Sequence, residues 1–348
     1  MISLTKGPYA KEICRLYNGK PEEHHGTMEG QPVYWLPKKD PKYRLEMEDA
    51  EAFLMSDEFR IRYRLAPVEQ TKLVECLLDD KCPEDKTAIV KRFYDIRADL
   101  KERMYEEMIL NDNQYFRVDW PEKKDEWSRH VVIIASTGAG KTWLARSWCL
   151  HNLQGPRNQR RNIIYASTEL EHDKTLQPLL GKRYEKYVTG VDTSDEAFEN
   201  WKENDENAGK SIHDWFESAI LPPIEHAPPG SHVFLDDSKD SPADKFILKL
   251  LNKALRTYRH KKIGVTSLQH AIRGRDWTSQ SFSSVFGVVL FPNSGGKGKQ
   301  VSFLADDIGF GVRRARQLVK LFAETGRECF IRMHTPTCCI GTRAIVLT

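Results

Sequence analysis

His130-Val131-Val132-Ile133-Ile134-Ala135-Ser136-Thr137-Gly138-Ala139-Gly140-Lys141-Thr142 is the stretch that decides how this chain folds. Val131 to Ile134 is an unbroken β-branched run, the pattern of a strand buried on both faces. Gly138 and Gly140 then let the backbone turn tightly enough for its N–H groups to close around phosphates. Lys141 offers a cation to β/γ oxygens, and the Thr142 hydroxyl offers a ligand to Mg2+. A helix is expected over about 141–153, so the loop ends on a helix N-terminus that favours anions. Ala135, Ser136, Thr137, Gly138, Ala139, Gly140, Lys141 and Thr142 therefore form the candidate phosphate-binding set. Ala135 stands where the first glycine of GxxxxGK[ST] belongs. The alternative, a glycine-rich turn without a ligand, is disfavoured by the strand before it and the helix after it.

Working outward, the same alternation continues downstream. Strands are expected at Asn162–Ala166, His232–Leu235, Ile263–Leu268 and Val285–Phe291, with shorter ones over 329–333 and 343–347. Between them lie a mostly helical region over 194–217 and a helix from about Gly309 to Glu324. A further helix is expected to be capped by Ser241-Pro242, with Phe246, Ile247, Leu250, Leu251 and Leu255 as its apolar stripe. Alternating strands and helices predict an α/β core: a mostly parallel sheet with helices on both faces. Upstream, residues 1–65 are poorly periodic and interrupted by Pro32, Pro37 and Pro41. Pro67 opens a helix to about residue 79, and Pro83 opens a longer one with Ile89, Phe93, Ile96, Leu100, Met104 and Met108 on one face. The segment 111–127 is polar and extended, a junction between a largely helical accessory region, 1–127, and the core domain, 128–348.

Two acids and an amide fall at strand ends. Val233-Phe234-Leu235 runs into Asp236-Asp237, which puts both carboxylates at the C-terminal edge of a buried strand, where doubly wound sheets bind ligands. Asp236 is the candidate metal ligand beside Thr142, and Asp237 is the candidate group that orients or deprotonates an attacking water. Gln269 ends the next strand, where a neutral amide can sense a γ-phosphate without adding charge. Arg256, Arg259, Arg273 and Arg275 flank it, and any of them is a candidate arginine finger toward a neighbouring subunit. The catalytic candidates are Lys141, Asp237, Gln269 and Arg273.

Composition narrows the class. The chain has 348 residues, 40% hydrophobic and 30% charged, enough for a sizeable core. No apolar run approaches the ~20 residues of a membrane-spanning helix, and Met1 to Lys6 has no apolar stretch like that of a secretory signal. Seven cysteines without a CxxC pair exclude a disulfide framework and point to a reducing, intracellular compartment. Net charge is only +3 but uneven: residues 252–320 hold 13 Lys and Arg against Asp276, Asp306 and Asp307. That clustering is either a solvated basic face or a surface that contacts a polyanion. Gly295-Gly296-Lys297-Gly298-Lys299, within it, reads as a flexible basic loop that tracks a phosphate backbone or as a solvated hairpin tip.

The Ala135–Thr142 loop, the VFLDD strand end at 233–237, YRHKKIGVTSLQ at 258–269 and SSVFGVVLFP at 283–292 together resemble the FtsK–HerA superfamily of P-loop motors. With RARQLVKLFAETGRECFIRMHTPTCCI at 314–340, the order and spacing are similar to the poxvirus-like genome-packaging ATPases of double-stranded DNA viruses. The resemblance covers about residues 128–345. It implies a RecA-like P-loop core, an ATPase using ATP and Mg2+, a homo-oligomeric ring acting on double-stranded DNA, and a capsid or vertex protein as partner. It also implies work in the host cytoplasm or nucleus or on the virion, and an arginine soon after the glutamine, the place of Arg273. A helicase or conjugation-type motor of the same superfamily, and a nucleotide-gated DNA-binding or assembly protein with negligible turnover, stay open alternatives.

Overall fold

Val131, Val132 and Ile133 are wholly shielded from solvent, as a β-branched strand in the middle of a parallel sheet must be. The computed structural model describes residues 2–7, 9–19, 30–37, 54–79, 107–118, 120, 128–154, 160–270, 284–334 and 336–347. The helix expected from Pro83 and the arginines Arg273 and Arg275 lie outside these residues. By compactness the chain forms two units, Met1–Ile13 with Gln31–Met108 and Ile345–Thr348, and Cys14–Gly30 with Ile109–Ala344.

In the first unit, strand β1 (Ile2–Ser3) pairs antiparallel with β3 (Gln31–Trp35). Helix α1 (Asp57–Arg62) starts where the Ser56 hydroxyl accepts the Phe59 N–H at 3.2 Å. Helix α2 (Pro67–Asp79) opens on proline as expected, and the Glu69 carboxylate accepts the Ala66 N–H at 2.9 Å to close its first turn. Strand β2 (Lys11–Asn18) runs from this unit into the second, where it pairs antiparallel with β5 (Gln114–Arg117). A short strand β4 (Glu107–Ile109) lies between these helices and β5 in sequence. Strands thus accompany the helices ahead of residue 128, and part of the segment read as a polar junction is β5.

The second unit carries the site. Its sheet contains β6 (His130–Ile134), β7 (Ile163–Ser167), β8 (Val188–Asp192), β9 (His232–Asp236), β10 (Gly264–Gln269), β11 (Gly287–Leu290), β12 (Cys329–Arg332) and β13 (Cys338–Gly341), in the spatial order β13-β12-β11-β6-β10-β9-β7-β8. Strands β11, β6, β10, β9, β7 and β8 are mutually parallel, and β12 and β13 add antiparallel. The last strand of the chain is β14 (Ala344–Leu347). The main helices are α3 (Lys141–Gln154), α4 (Asp195–Lys202), α5 (Asp244–Thr257) and α6 (Val312–Thr325).

The order reverses around β6. The chain leaves β6 through α3 toward β7 in one direction, and returns through α4 to β9 and α5 to β10 in the other. Right-handed crossovers running in opposite directions put α3 on one face and α4 and α5 on the other. That is the α/β architecture expected from the sequence, with its ligand edge at the C-terminal ends of the parallel strands.

Three details differ from the expectation. Ser241 does not cap α5 at its boundary, which falls at Ala243; its hydroxyl instead accepts the Ala243 N–H at 3.1 Å, two residues early. Strand β8 replaces what reads as a gap, because Gly190 lets the backbone lie against Leu170, whose Cδ2 is 2.8 Å from where a Cβ would sit. Lys297–Ser302 is a short helix after left-handed Gly295 and Gly296, so the basic loop is half helical.

Candidate active site

The candidate phosphate-binding set, Ala135 to Thr142, follows the C-terminal end of β6. Gly138 at φ 76° and Gly140 at φ 99° occupy the left-handed region that side chains resist, which explains glycine at both. Ala135, in the place of the motif's first glycine, is buried, and its N–H donates to the Gln269 carbonyl at 3.0 Å. That bond fastens the start of the loop to the end of β10, which lies between β6 and β9. The Ser136 hydroxyl donates to the Ser294 carbonyl at 2.5 Å, tying the loop to the chain after β11.

Lys141 begins α3 and is 5% exposed. Its Nζ lies 3.3 Å from His270 Nδ1 and 3.9 Å from Asp237 Oδ1. His270 Nε2 is in turn 2.5 Å from Asp237 Oδ1, so the ring bridges lysine and carboxylate. His270 Nδ1 is also 3.4 Å from the Thr137 hydroxyl. Asp237 itself sits at φ 46°, ψ 38°, a left-handed backbone uncommon for any residue but glycine, Asn and Asp.

Asp236 is the buried partner of the pair. Its Oδ2 accepts the Thr142 hydroxyl at 2.9 Å and the Tyr165 hydroxyl at 2.8 Å. Its Oδ1 is buried with no hydrogen-bond partner. Burial, then the neighbouring Asp237 charge, pushes the Asp236 carboxyl up to about 6, against the pull of Tyr165, Thr142 and Lys141. Burial also raises the Tyr165 hydroxyl well above its ordinary value, so it stays a donor. A buried carboxylate with one orphaned oxygen beside a threonine hydroxyl is the oxygen donor set a hard divalent cation takes, and these residues fit Mg2+.

Gln269 is buried and its amide Nε2 donates to Ser267 Oγ at 2.6 Å within its own strand. It reaches the expected edge but is turned along β10. Arg256 and Arg259 are exposed at the other end of the sheet, before β10 begins, and Arg259 acts electrostatically on His130, the first residue of β6. The structure therefore brings Lys141, Thr142, Asp236 and Asp237 together and leaves those two arginines away from their own chain's loop. Sequence reasoning missed His270, although it directly follows Gln269 at the same strand edge. It also missed Tyr165 and Arg327, whose Cζ stands 4.5 Å over the Trp143 ring and whose Nη1 is 3.0 Å from where a Cβ on Gly140 would sit.

Fold and site define an α/β protein with a glycine-bearing loop after β6, Asp236 and Asp237 at the end of β9, and the amide-tipped strand β10 in between. Among solved structures the chain is similar to the genome packaging NTPase B204 from Sulfolobus turreted icosahedral virus 2 in complex with AMP, at 14% identity over 60% of this chain and 94% of that one, TM-score 0.36. It is also similar to the cytoplasmic domain of the Thermomonospora curvata type VII secretion ATPase EccC, at 12% identity over 70% of this chain and 29% of that one, TM-score 0.37. A third is the pCW3 conjugation coupling protein TcpA with ATPγS, at 14% identity over 69% of this chain and 65% of that one, TM-score 0.36. No protein-family model matches the chain. No curated protein matches it either.

Proposed function

We propose that this chain is an ATPase that uses ATP and Mg2+ to drive double-stranded DNA through a homo-oligomeric ring, and that it packages a viral genome inside the host cell. The observation that carries the ATPase reading is the convergence of Lys141, Thr142, Asp236 and Asp237 on one sheet edge around a loop with two left-handed glycines. Residues 128–348 form the motor domain in this reading, and 1–127 an accessory region that meets a capsid or vertex protein.

The loop amides from Ser136 to Lys141 and the α3 N-terminus bind the β- and γ-phosphates. Lys141, already buried at the site, exchanges its contacts with His270 and Asp237 for phosphate oxygens. Thr142 and Asp236 would hold Mg2+, which would supply positive charge to offset that of the phosphates. Asp237 orients and deprotonates the attacking water, and His270 fixes its carboxylate through the 2.5 Å contact. Gln269 senses the γ-phosphate once its amide leaves Ser267. Arg273 from a neighbouring subunit supplies the finger.

The basic segment after residue 252 supports DNA as the track, and among the described residues no helix is long and apolar enough to cross a membrane. The test is steady-state ATP turnover by the full chain, with and without linear duplex DNA. Mg2+-dependent turnover raised severalfold by duplex, without unwinding of a forked substrate, is the expected result. Turnover indistinguishable from background would make the chain a nucleotide-gated binding protein, and unwinding would make it a helicase.

A further inference from the structure

Tyr165 of β7 lies directly across from Phe234 of β9 in the parallel register, and the two rings stack at 5.5 Å and 11°. Residues two apart on a strand share a face, so Phe234 and Asp236 point the same way, and the ring stacked on Phe234 carries its hydroxyl to Asp236. Tyr165 is 1% exposed, so its O–H cannot turn to water and donates to Asp236 Oδ2 at 2.8 Å. Thr142, from the first turn of α3, donates to the same oxygen at 2.9 Å. Donors from two different elements therefore hold Oδ2, while Oδ1 is buried with no hydrogen-bond partner among the described residues.

We propose that Tyr165 is a positioning residue of the cation site: it fixes the Asp236 carboxylate so that Oδ1 alone is offered to the metal, and it thereby favours Mg2+ over the larger Ca2+. The inference rests on the reading of Thr142 and Asp236 as the pair that holds the metal, and adds what keeps that pair in place. A carboxylate held by one hydrogen bond can rock about its Cβ–Cγ bond and offer one oxygen or both. Held by Thr142 and Tyr165 together, it keeps one oxygen engaged and offers the other. Mg2+ is small and demands near-octahedral geometry, which suits a single fixed oxygen, whereas Ca2+ accepts one carboxylate oxygen or both in a flexible shell. Tyr165 touches no substrate in this role and acts through Asp236, as hydrogen-bond partners behind a metal ligand do. The stacked Phe234 ring serves the same end, because it keeps the hydroxyl from swinging away from the carboxylate.

The test reads metal binding directly. Mn2+, standing in for Mg2+, is titrated into the full chain with a non-hydrolysable ATP analogue, the chain in excess, and followed by electron paramagnetic resonance. Bound Mn2+ is then displaced with Mg2+ or with Ca2+. Tyr165→Phe keeps the ring and removes only the donor, and it should weaken Mn2+ about tenfold. Mg2+ should displace Mn2+ at the wild-type ratio, whereas Ca2+ should displace it at a ratio about tenfold lower. Steady-state kinetics should show the matching split, with kcat restored by excess Mg2+ and KM for ATP unchanged at saturating metal. Phe234→Leu, which keeps the hydroxyl but frees the ring, should shift the Ca2+ ratio the same way by less. Ile164→Val, on the opposite face of β7, should lower the melting temperature and move neither ratio. A Ca2+ ratio unchanged in Tyr165→Phe overturns the proposal, even if all three cations weaken together. If the wild type with the analogue binds no Mn2+, or Asp236→Asn binds it as the wild type does, the reading of the metal-holding pair fails instead, which is a separate outcome.

Discussion

The left-handed backbone at Asp237 costs a non-glycine residue about 1–2 kcal/mol, and strain of this kind concentrates where a side chain must be aimed. Here the carboxylate lies against His270 and within 3.9 Å of Lys141. Lys141→Ala should nearly abolish hydrolysis and weaken ATP binding, because the cation meets oxygens that gain charge during transfer. Asp237→Asn should keep ATP while losing turnover, since Asp236 still serves the metal. His270→Ala should lower kcat about tenfold or more with KM little changed, because the ring touches Asp237 rather than substrate; an unchanged kcat would remove it from the site. These are read by steady-state kinetics beside a nucleotide titration. Lys141, Thr142 and Asp236 were legible in the sequence because a loop motif and a strand end are local patterns. His270 and Tyr165 were not, because their contacts with Lys141 and Asp236 span 129 and 71 residues and exist only once β10 and β7 are in place.

Strands β6 and β9 both begin with a buried histidine. His130 Nδ1 accepts the Val265 N–H at 3.1 Å, and His232 Nε2 meets the Thr266 hydroxyl at 2.8 Å, so β10 holds both rings. Burial, then the nearby Arg259, lowers His130 to about 4, and burial, Arg161 and His130 lower His232 well below its ordinary value. The unfolded chain binds these protons near pH 6.5 and the folded chain does not. Stability is therefore fully present above about pH 6.5 and is lost as pH falls toward 4, by about 3 kcal/mol for His130 alone. Asp236 acts with the opposite sign, since its raised carboxyl favours the folded state as pH falls from about 6 to 3.8. The net slope is set by His130, His232 and His334, which burial and then Arg129 also lower, against the Asp236 carboxylate. Thermal melting from pH 7 to 5 should show a drop in the wild type that His130→Asn reduces; equal drops would refute the assignment. Strands β6, β7, β9, β10 and β11 were readable because each holds a short, mostly apolar or β-branched run bounded by polar or turn residues, the pattern of a strand buried on both faces. Strands β5, β8 and β13 were not, because each is four or five residues whose pairing rather than propensity makes it a strand.

The basic stretch 252–320 does not form one surface. Lys253, Arg256, Arg259, Lys261 and Lys262 precede β10, with Lys253 already paired to Glu225 at 2.6 Å, whereas Lys297 and Lys299 follow the C-terminal end of β11. The short helix that carries Lys297 and Lys299 packs on α6, where Arg313, Arg316 and Lys320 recur at steps of three and four and are exposed. This second group shares the loop's side of the chain, because Ser136 is bonded to Ser294 just ahead of it. It is therefore the group suited to follow a DNA backbone whose grip changes with the nucleotide. A surface of that kind reads no bases, so affinity should be indifferent to sequence and steep in salt. About 4–6 neutralised phosphates give a log–log slope of roughly −4 to −5 on duplex. Replacing Lys297 and Lys299 with alanine should flatten the slope by up to about two, and replacing Arg313 and Arg316 should do the same. Arg256→Ala with Arg259→Ala should leave it unchanged, and all these variants should keep DNA-free turnover. Fluorescence anisotropy at several salt concentrations decides between the two groups. A flatter slope from the Arg256 and Arg259 pair alone would move the track to the opposite end of the sheet, and a wild-type slope near zero would take DNA out of the proposed function.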